Sequence, residues 1–282
     1  MGALGSAWGW LRRHAVRIYA VLAVVYMLIP IAVIVVFSFA ATPKGRLTFA
    51  IQEGFTTEYW SSAFSLTDLN DALLTSLKLA ALSTAIATAI GTLMALALVR
   101  HRFRGRRLSN LLIILPMATP EVVIGASLLS LFIYYSFPLG FETLLIAHVT
   151  FSISFVVVVV RSRLIGFDRH LEEAAADLGA TPLATFRTVT LPLLAPGILA
   201  AAMLAFALSI DDFVISNFNS GTTVTFPLYV YGVSLRGIPV QVNVLATILF
   251  GFTVVAGFLV LLQQRRAERM TAVRPDAGTA TA

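Results

Sequence analysis

Three carboxylates lie within long apolar stretches of the sequence. Glu121 follows Pro116 and Pro120, and the neighbours Asp211 and Asp212 precede a short polar run. A charged group at the centre of a membrane-spanning helix costs about 2.5–3.5 kcal/mol, so such groups are rare and are found at functional positions. Because acids that line a dry path favour cations, these three residues predict a substrate path for a positively charged solute.

The same carboxylates also have a structural interpretation. Each can form a hydrogen bond between helices, or be solvated near the outer interface. Adjacent helical residues point about 100° apart, so Asp211 and Asp212 cannot both face one point. One would face the path, and the other a neighbouring helix or a partner subunit. We interpret His148 as a neutral interhelical hydrogen-bonding group rather than a ligand, since no second histidine is placed to join it.

Composition places these residues in a membrane protein. Of the 282 residues, 58% are hydrophobic and only 12% are charged. Apolar stretches of about 20 residues predict transmembrane helices, whereas membrane barrels use alternating strands of about 10 residues. The fold class is therefore an all-α membrane protein with six transmembrane helices. The predicted spans are residues 18–39, 73–99, 110–137, 143–160, 193–216 and 244–262.

The basic residues predict how the chain is oriented. Sixteen of the 20 lysines and arginines fall on one side of the spans, and the others are Lys44, Arg46, Lys78 and Arg236. By the positive-inside rule, both termini and the segment 161–192 lie in the cytoplasm. The net charge of +6 does not indicate a nucleic-acid partner, because the basic residues sit beside helix ends rather than on a folded polar surface.

The spans also define the domain organisation. Residues 1–17 are a cytoplasmic segment, 18–264 a transmembrane domain and 265–282 a disordered cytoplasmic tail. A cleaved signal peptide is the alternative for the first span, but its apolar run exceeds the usual 7–15 residues or so. The extracytoplasmic segment 217–243 is either an interfacial or re-entrant element or a plain loop with tyrosine anchors.

The cytoplasmic segment 161–192 carries a distinctive pattern. The run Glu173-Ala174-Ala175-Ala176-Asp177-Leu178-Gly179 is followed after nine residues by Val189-Thr190-Leu191-Pro192. Asp168 can cap a helix that begins at Arg169, and Gly179 can end it. Thr181 and Pro182 read as the N-cap and first residue of a second short helix through Phe186 and Arg187. We therefore predict two helices that meet at a glycine hinge.

This pattern resembles the cytoplasmic EAA loop of ABC-importer permeases, with Val189 in place of the commoner isoleucine. The resemblance implies the type I importer permease (MetI-like) fold, in which the short helix, here 180–187, inserts into a groove of an ATPase subunit. A surface amphipathic loop is the plain alternative. The implied coupling residues are Glu173, Ala174, Ala175, Gly179, Ala180, Thr181, Pro182, Phe186, Arg187, Leu191 and Pro192.

Longer stretches resemble a narrower group. Residues 115–125 and 209–216, with 226–228 and 243–247, look like the C-type permeases of spermidine/putrescine importers. Permeases for other amines, aminophosphonates or ferric iron share parts of the pattern. The resemblance implies a bacterial inner-membrane location in the lipid bilayer and three kinds of partner: a second homologous permease, two ATP-binding cassette ATPases that hold ATP and Mg, and an extracytoplasmic substrate-binding protein.

Catalytic motifs are missing from the sequence. Neither lysine follows a glycine, so there is no phosphate-binding loop of the Walker A type. The chain has no cysteine, only four histidines, and neither the Gly-x-Ser-x-Gly nor the His-Glu-x-x-His pattern. We therefore expect a non-catalytic transport subunit that binds no cofactor or metal. A hydrolase that uses His148, or a proton-coupled carrier that uses the three acids, remains the alternative.

Overall fold

The structure, a computed structural model, describes residues 2–42, 54–101 and 103–272. Within these ranges the regular elements are helical, apart from an isolated antiparallel bridge between Ala40 and Phe55. Four of the basic residues used to predict orientation, Lys44, Arg46, Arg102 and Arg274, lie outside the described residues, as does the end of the predicted tail, 273–282.

Twelve α-helices and one π-helical turn are present in the described ranges. They are α1 (Gly2–Phe37), α2 (Glu58–Ser61), α3 (Thr67–Arg100), α4 (Arg106–Ala118), α5 (Glu121–Tyr134), α6 (Phe141–Ile165), α7 (His170–Asp177), α8 (Pro182–Thr185), the π-turn (Phe186–Thr190), α9 (Leu191–Ile210), α10 (Val214–Asn219), α11 (Phe226–Ser234) and α12 (Val240–Ala272).

The chain divides into two compact units. One unit combines the two ends of the chain, Met1–Leu66 and Val233–Ala282. Within it α12 contacts both α1 and α2. The ring of Phe39 stacks on that of Trp60 with 5.0 Å between centroids, so an aromatic pair joins the end of α1 to α2. Because α12 continues to Ala272, the first residues of the predicted tail, 265–272, are helical.

The second unit, Thr67–Gly232, is built around three helices that contact one another closely, α3, α6 and α9. Small and β-branched side chains fill the space between them, including Ala87, Val156, Val160 and Ala201. A Cβ atom on Gly91 would lie 2.6 Å from Cγ1 of Val156. Glycine at this position therefore allows α3 and α6 to approach each other.

Four described helical segments are long and apolar enough to cross a membrane: His14–Phe37, Thr67–Arg100, Phe141–Ile165 and Pro182–Ile210. The bent pair α4 and α5 would make a fifth. The apolar part of α12, Val240–Val255, is shorter. The chain is therefore all-helical with four to five apolar spans in the described part, and the sixth span stays a prediction.

The predicted third span, 110–137, is not one straight helix. It consists of α4 and α5, whose axes differ by 111°. The break falls at Pro120, which has no backbone N–H to donate, and Thr119 before it is extended with φ −87° and ψ 134°. The chain therefore changes direction sharply at Pro120.

The predicted fifth span, 193–216, also ends earlier than expected. Helix α9 stops at Ile210 and α10 begins at Val214. The carboxylate of Asp212 accepts hydrogen bonds from the backbone N–H groups of Ile215 (3.2 Å) and Ser216 (2.7 Å). An aspartate that satisfies these first N–H groups starts a new helix, which explains the break.

The segment 217–243 contains a helix rather than only a plain loop. Helix α11 begins at Phe226, whose N–H donates to the hydroxyl of Ser76 on α3 at 2.7 Å. The ring of Tyr231 contacts that of Phe213 with 4.8 Å between centroids. The start of α11 is therefore fastened to the second unit, and whether this segment enters the bilayer stays a prediction.

Candidate functional site

The predicted hinge of the loop 161–192 is present at Gly179. Its φ is +85°, in the left-handed region that favours glycine. The N–H of Gly179 donates to Ala176 O at 2.9 Å, and the N–H of Ala180 donates to Ala175 O at 3.0 Å. These bonds satisfy carbonyls that α7 would leave unpaired at its end. The chain therefore turns sharply between α7 and α8.

Both predicted helix starts in the loop are close to those observed. Asp168 Oδ1 accepts the His170 N–H at 3.0 Å, and α7 begins at His170, one residue later than expected. The hydroxyl oxygen of Thr181 accepts the Ala184 N–H at 3.3 Å, and Pro182 is the first residue of α8. The local pattern of capping residues is therefore sufficient to position both starts.

The end of the loop differs from the prediction. Helix α8 stops at Thr185, and the π-turn leads directly into α9 without a break. Leu191 and Pro192 were expected to close the loop, but they are the first two residues of α9. Since Pro192 has no N–H, it cannot continue the usual bonding pattern, and the Leu191 N–H instead bonds five residues back to Phe186 O. The second short helix is therefore continuous with a span.

A carboxylate in the first turn of α7 fastens the loop to the rest of the unit. Oε1 of Glu172 accepts hydrogen bonds from the guanidinium of Arg100 and from the hydroxyl of Thr190. Arg100 is the last residue of α3, and Thr190 is the last residue of the π-turn. Only 1% of Thr190 is exposed. One carboxylate thus joins three elements that are distant in sequence.

Glu173, which the sequence pattern singled out, has a different environment. Its side chain is 68% exposed, and its carboxylate lies 3.1 Å from Nδ1 of the exposed His170 in the same helix. The side chain of Glu172 is only 18% exposed. The pattern alone could not identify Glu172, because Arg100 precedes it by 72 residues. The exposed Glu173 is free to contact another subunit, and its role in docking stays a prediction.

The loop presents large apolar side chains on its surface. Leu178 is 89% exposed, Leu183 59% and Leu171 48%. These leucines are therefore not covered by the described residues of this chain. Exposed leucines close together beside charged residues are typical of a binding surface. Of the other residues implied for coupling, Arg187 is exposed and Phe186 is half-buried beside α3.

The three acids of the predicted substrate path have unequal environments. Glu121 is exposed in the first turn of α5, where the helix dipole stabilises a negative charge. Asp211 is exposed at the end of α9. Asp212 is buried. The two aspartates therefore do not face one point, as expected, and the exposed acids Glu121 and Asp211 remain the candidates for contact with a solute.

Asp212 belongs to a buried polar network. Its Oδ2 lies 3.4 Å from Nε2 of His148, which is 2% exposed. The same nitrogen is 3.0 Å from Ser216 Oγ, and His148 Nδ1 is 2.8 Å from Ser209 Oγ. Ser83 on α3 donates to Ser209 at 3.0 Å. His148 therefore forms interhelical hydrogen bonds, as predicted, and Asp212 has the helix–helix role given above as its structural alternative. The partner serines were not identified from the sequence.

Sequence comparison identifies the family. A family profile described as "Binding-protein-dependent transport system inner membrane component" matches residues 87–269, which include the loop 161–192 and the pair His148 and Asp212. This chain belongs to that family.

Similar permeases include proteins of polyamine transport systems. The chain is 41% identical over 231 residues to the spermidine/putrescine transport system permease protein PotC of Escherichia coli (strain K12), covering 82% of this chain and 86% of that protein. It is 36% identical over 252 residues to the putrescine transport system permease protein PotI of the same strain, covering 86% and 88%. The expected family membership is therefore confirmed, and the chain is homologous to permeases of polyamine importers.

Solved structures agree at the level of the fold. A chain of a bacterial ABC transporter that imports the polysaccharide alginate superposes with a TM-score of 0.66 at 18% identity, covering 94% of this permease and 99% of that chain. A chain of an amino acid ABC transporter superposes with a TM-score of 0.57 at 21% identity, covering 75% and 100%. The permease therefore has the fold of ABC-importer membrane subunits.

Proposed function

We propose that this permease forms half of the membrane pore of a bacterial importer that takes up a polyamine such as spermidine or putrescine. The observation that carries the proposal is the 41% identity to PotC over 82% of this chain. Polyamines are multiply charged cations, and the exposed carboxylates of Glu121 and Asp211 have the complementary charge. Asp212 would not contact the solute, but its contact with His148 would stabilise the helices beside this path.

The proposed topology has six spans and both termini in the cytoplasm. Four of the spans would be the long apolar helices. The bent pair α4 and α5 would form another span, and α12 would form the last. The loop 161–192 would then lie on the cytoplasmic side with the basic ends of α3 and α6. A second homologous permease would complete the pore, and a substrate-binding protein would deliver the polyamine from outside.

Energy would come from two partner ATPases, which would hold ATP and Mg. The exposed leucines of α7 and α8, with Glu173 and Arg187 beside them, form the surface that would enter a groove on each ATPase. Burial of a leucine side chain contributes about 1.5–3 kcal/mol, so three of them are sufficient to anchor a small docking helix. ATP-driven closure of the ATPases would then move this loop and open the pore outward.

The proposal is tested by ATP hydrolysis in proteoliposomes that contain the permease pair and its ATPases. Spermidine or putrescine bound to its binding protein should stimulate hydrolysis and drive uptake of labelled polyamine. Alginate and ferric iron, each with its own binding protein, serve as controls. Stimulation by one of these controls but not by polyamines would contradict the assigned substrate while leaving the transport class intact.

A further inference from the structure

We propose that Glu172 is the positioning residue that delivers motion of the coupling loop to the spans α3 and α9. The proposal rests on the proposed function, in which partner ATPases move this loop. It assigns separate tasks to adjacent glutamates: Glu173 faces outward toward the ATPase, and Glu172 faces inward toward the membrane helices.

The geometry around Glu172 supports this division. A single oxygen, Oε1, accepts from Arg100 on one side and from Thr190 on the other. Hydrogen bonds between a carboxylate and a guanidinium are about twice as strong as neutral ones. Both donors belong to the ends of long helices, since Arg100 ends α3 and Thr190 immediately precedes α9. The carboxylate therefore connects α7 to two spans at once.

Two further contacts strengthen the connection to α3. The guanidinium of Arg169 donates to Val99 O at 3.4 Å. The guanidinium carbon of Arg100 lies 6.0 Å from the ring centroid of Phe167, at the distance of a weak cation–π contact. The start of α7 is thus held by Arg100 through Glu172 and Phe167 and by Val99 through Arg169, all within the last turn of α3.

The two connected spans lead to the predicted substrate path. Helix α9 runs from the π-turn to Ile210, immediately before Asp211. Near the end of α9, Ser209 accepts a hydrogen bond from Ser83 of α3 and also contacts His148. Because helices are stiff and their contacts here are close, a displacement of α7 that is held at Glu172 moves both spans near the acids. If Glu172 lost its hydrogen bonds to Arg100 and Thr190, α7 could move without moving α3 and α9.

Glu173 and Thr188, by contrast, bond locally. Glu173 bonds only within α7, to His170. The hydroxyl of Thr188 donates to Ala184 O, four residues back in the adjoining helix α8. Among the described residues of α7 and the π-turn, Glu172 is the carboxylate that bonds to two other elements. Thr188 and Thr190 consequently form a matched pair, one local and one connected to Glu172.

The test measures uptake per ATP hydrolysed in proteoliposomes with the intact complex. Glu172→Ala and Thr190→Val should lower this ratio by about 5- to 150-fold, the usual range of coupling between sites, while ATPase subunits stay bound and hydrolysis continues. Thr188→Val should leave the ratio unchanged. The exchanged pair Arg100→Glu with Glu172→Arg should recover more uptake per ATP than either single variant.

Three outcomes overturn the proposal. The first is an unchanged ratio in Glu172→Ala. The second is loss of the bound ATPases in that variant, since Glu172 would then act in docking. The third is an equal effect of Thr190→Val and Thr188→Val. If Glu172→Ala does not accumulate in the membrane, the ratio of uptake to ATP hydrolysis in Thr190→Val decides whether the proposal holds. Failure of the unaltered permease to bind ATPases would contradict the proposed function instead.

Discussion

Replacing Asp212 with alanine separates a structural role from a role in the substrate path. The substitution removes the acceptor of two backbone N–H groups at the start of α10, those of Ile215 and Ser216. It also leaves buried His148 without its carboxylate neighbour at 3.4 Å. The exposed neighbour Asp211 offers a matched control, because Asp211→Asn removes a charge without disturbing this network.

The expected loss of stability follows from these contacts. Removing a helix cap costs about 0.5–2 kcal/mol. Because Ile215 and Ser216 are buried, leaving their N–H groups without an acceptor costs about 1–3 kcal/mol more. Together these changes lower the free energy of unfolding by about 2–5 kcal/mol for Asp212→Ala. For a chain of this size the melting temperature should fall by about 5–15 °C. Asp211→Asn should change it by less than about 2 °C.

The assay compares thermal unfolding of the purified complex with polyamine uptake for the same variants. Asp212→Ala should lower both the melting temperature and uptake, and Asp211→Asn should lower uptake alone. His148→Ala should destabilise like Asp212→Ala, and the double variant should be less destabilised than the two losses added together, because both remove one network. A normal melting temperature in Asp212→Ala with abolished uptake would refute the structural role and assign Asp212 directly to the path.

Three further predictions concern glycines and the docking surface. Gly179→Ala should strain the left-handed turn by about 1–2 kcal/mol and reduce uptake, whereas Gly179→Asn should be milder because asparagine tolerates this conformation; equal uptake by both would argue against the hinge. Gly91→Ala should lower stability by about 1–3 kcal/mol through contact with Val156, and adding Val156→Ala should restore part of it in thermal unfolding. Leu178→Asp should weaken retention of the ATPases during purification while the permease still inserts, and full retention would exclude this leucine from the docking surface.

Local features of the fold could be predicted because their causes are local. Gly179, Thr181 and Pro182 each act on backbone groups within a few residues, so their spacing is sufficient to predict the turn and the start of α8. The long apolar segments likewise predict helices without knowledge of their neighbours. Composition and short patterns therefore carry most of the fold class.

Other features depend on contacts between distant parts of the chain. The sequence pattern singles out Glu173 and not Glu172, and the role of Glu172 becomes visible only from the position of Arg100 at the end of α3. The burial of Asp212 similarly depends on His148 reaching it from α6. Proline at position 120 predicts a kink, but the angle of 111° between α4 and α5 depends on how α5 contacts other helices, including the Asn219 side chain that donates to Gly125 O.

The proposed role of the loop 161–192 is to join this permease to a partner ATPase. Because the sequence contains no cysteine, one introduced by Leu183→Cys would be the only thiol of the chain. Cross-linking of the assembled complex should join this position to an ATPase subunit, with a yield that changes when ATP is added. Ser136→Cys, beyond the far end of α5, serves as the control and should not react with the ATPase. A link to the ATPase from Ser136→Cys, with none from Leu183→Cys, would contradict the account.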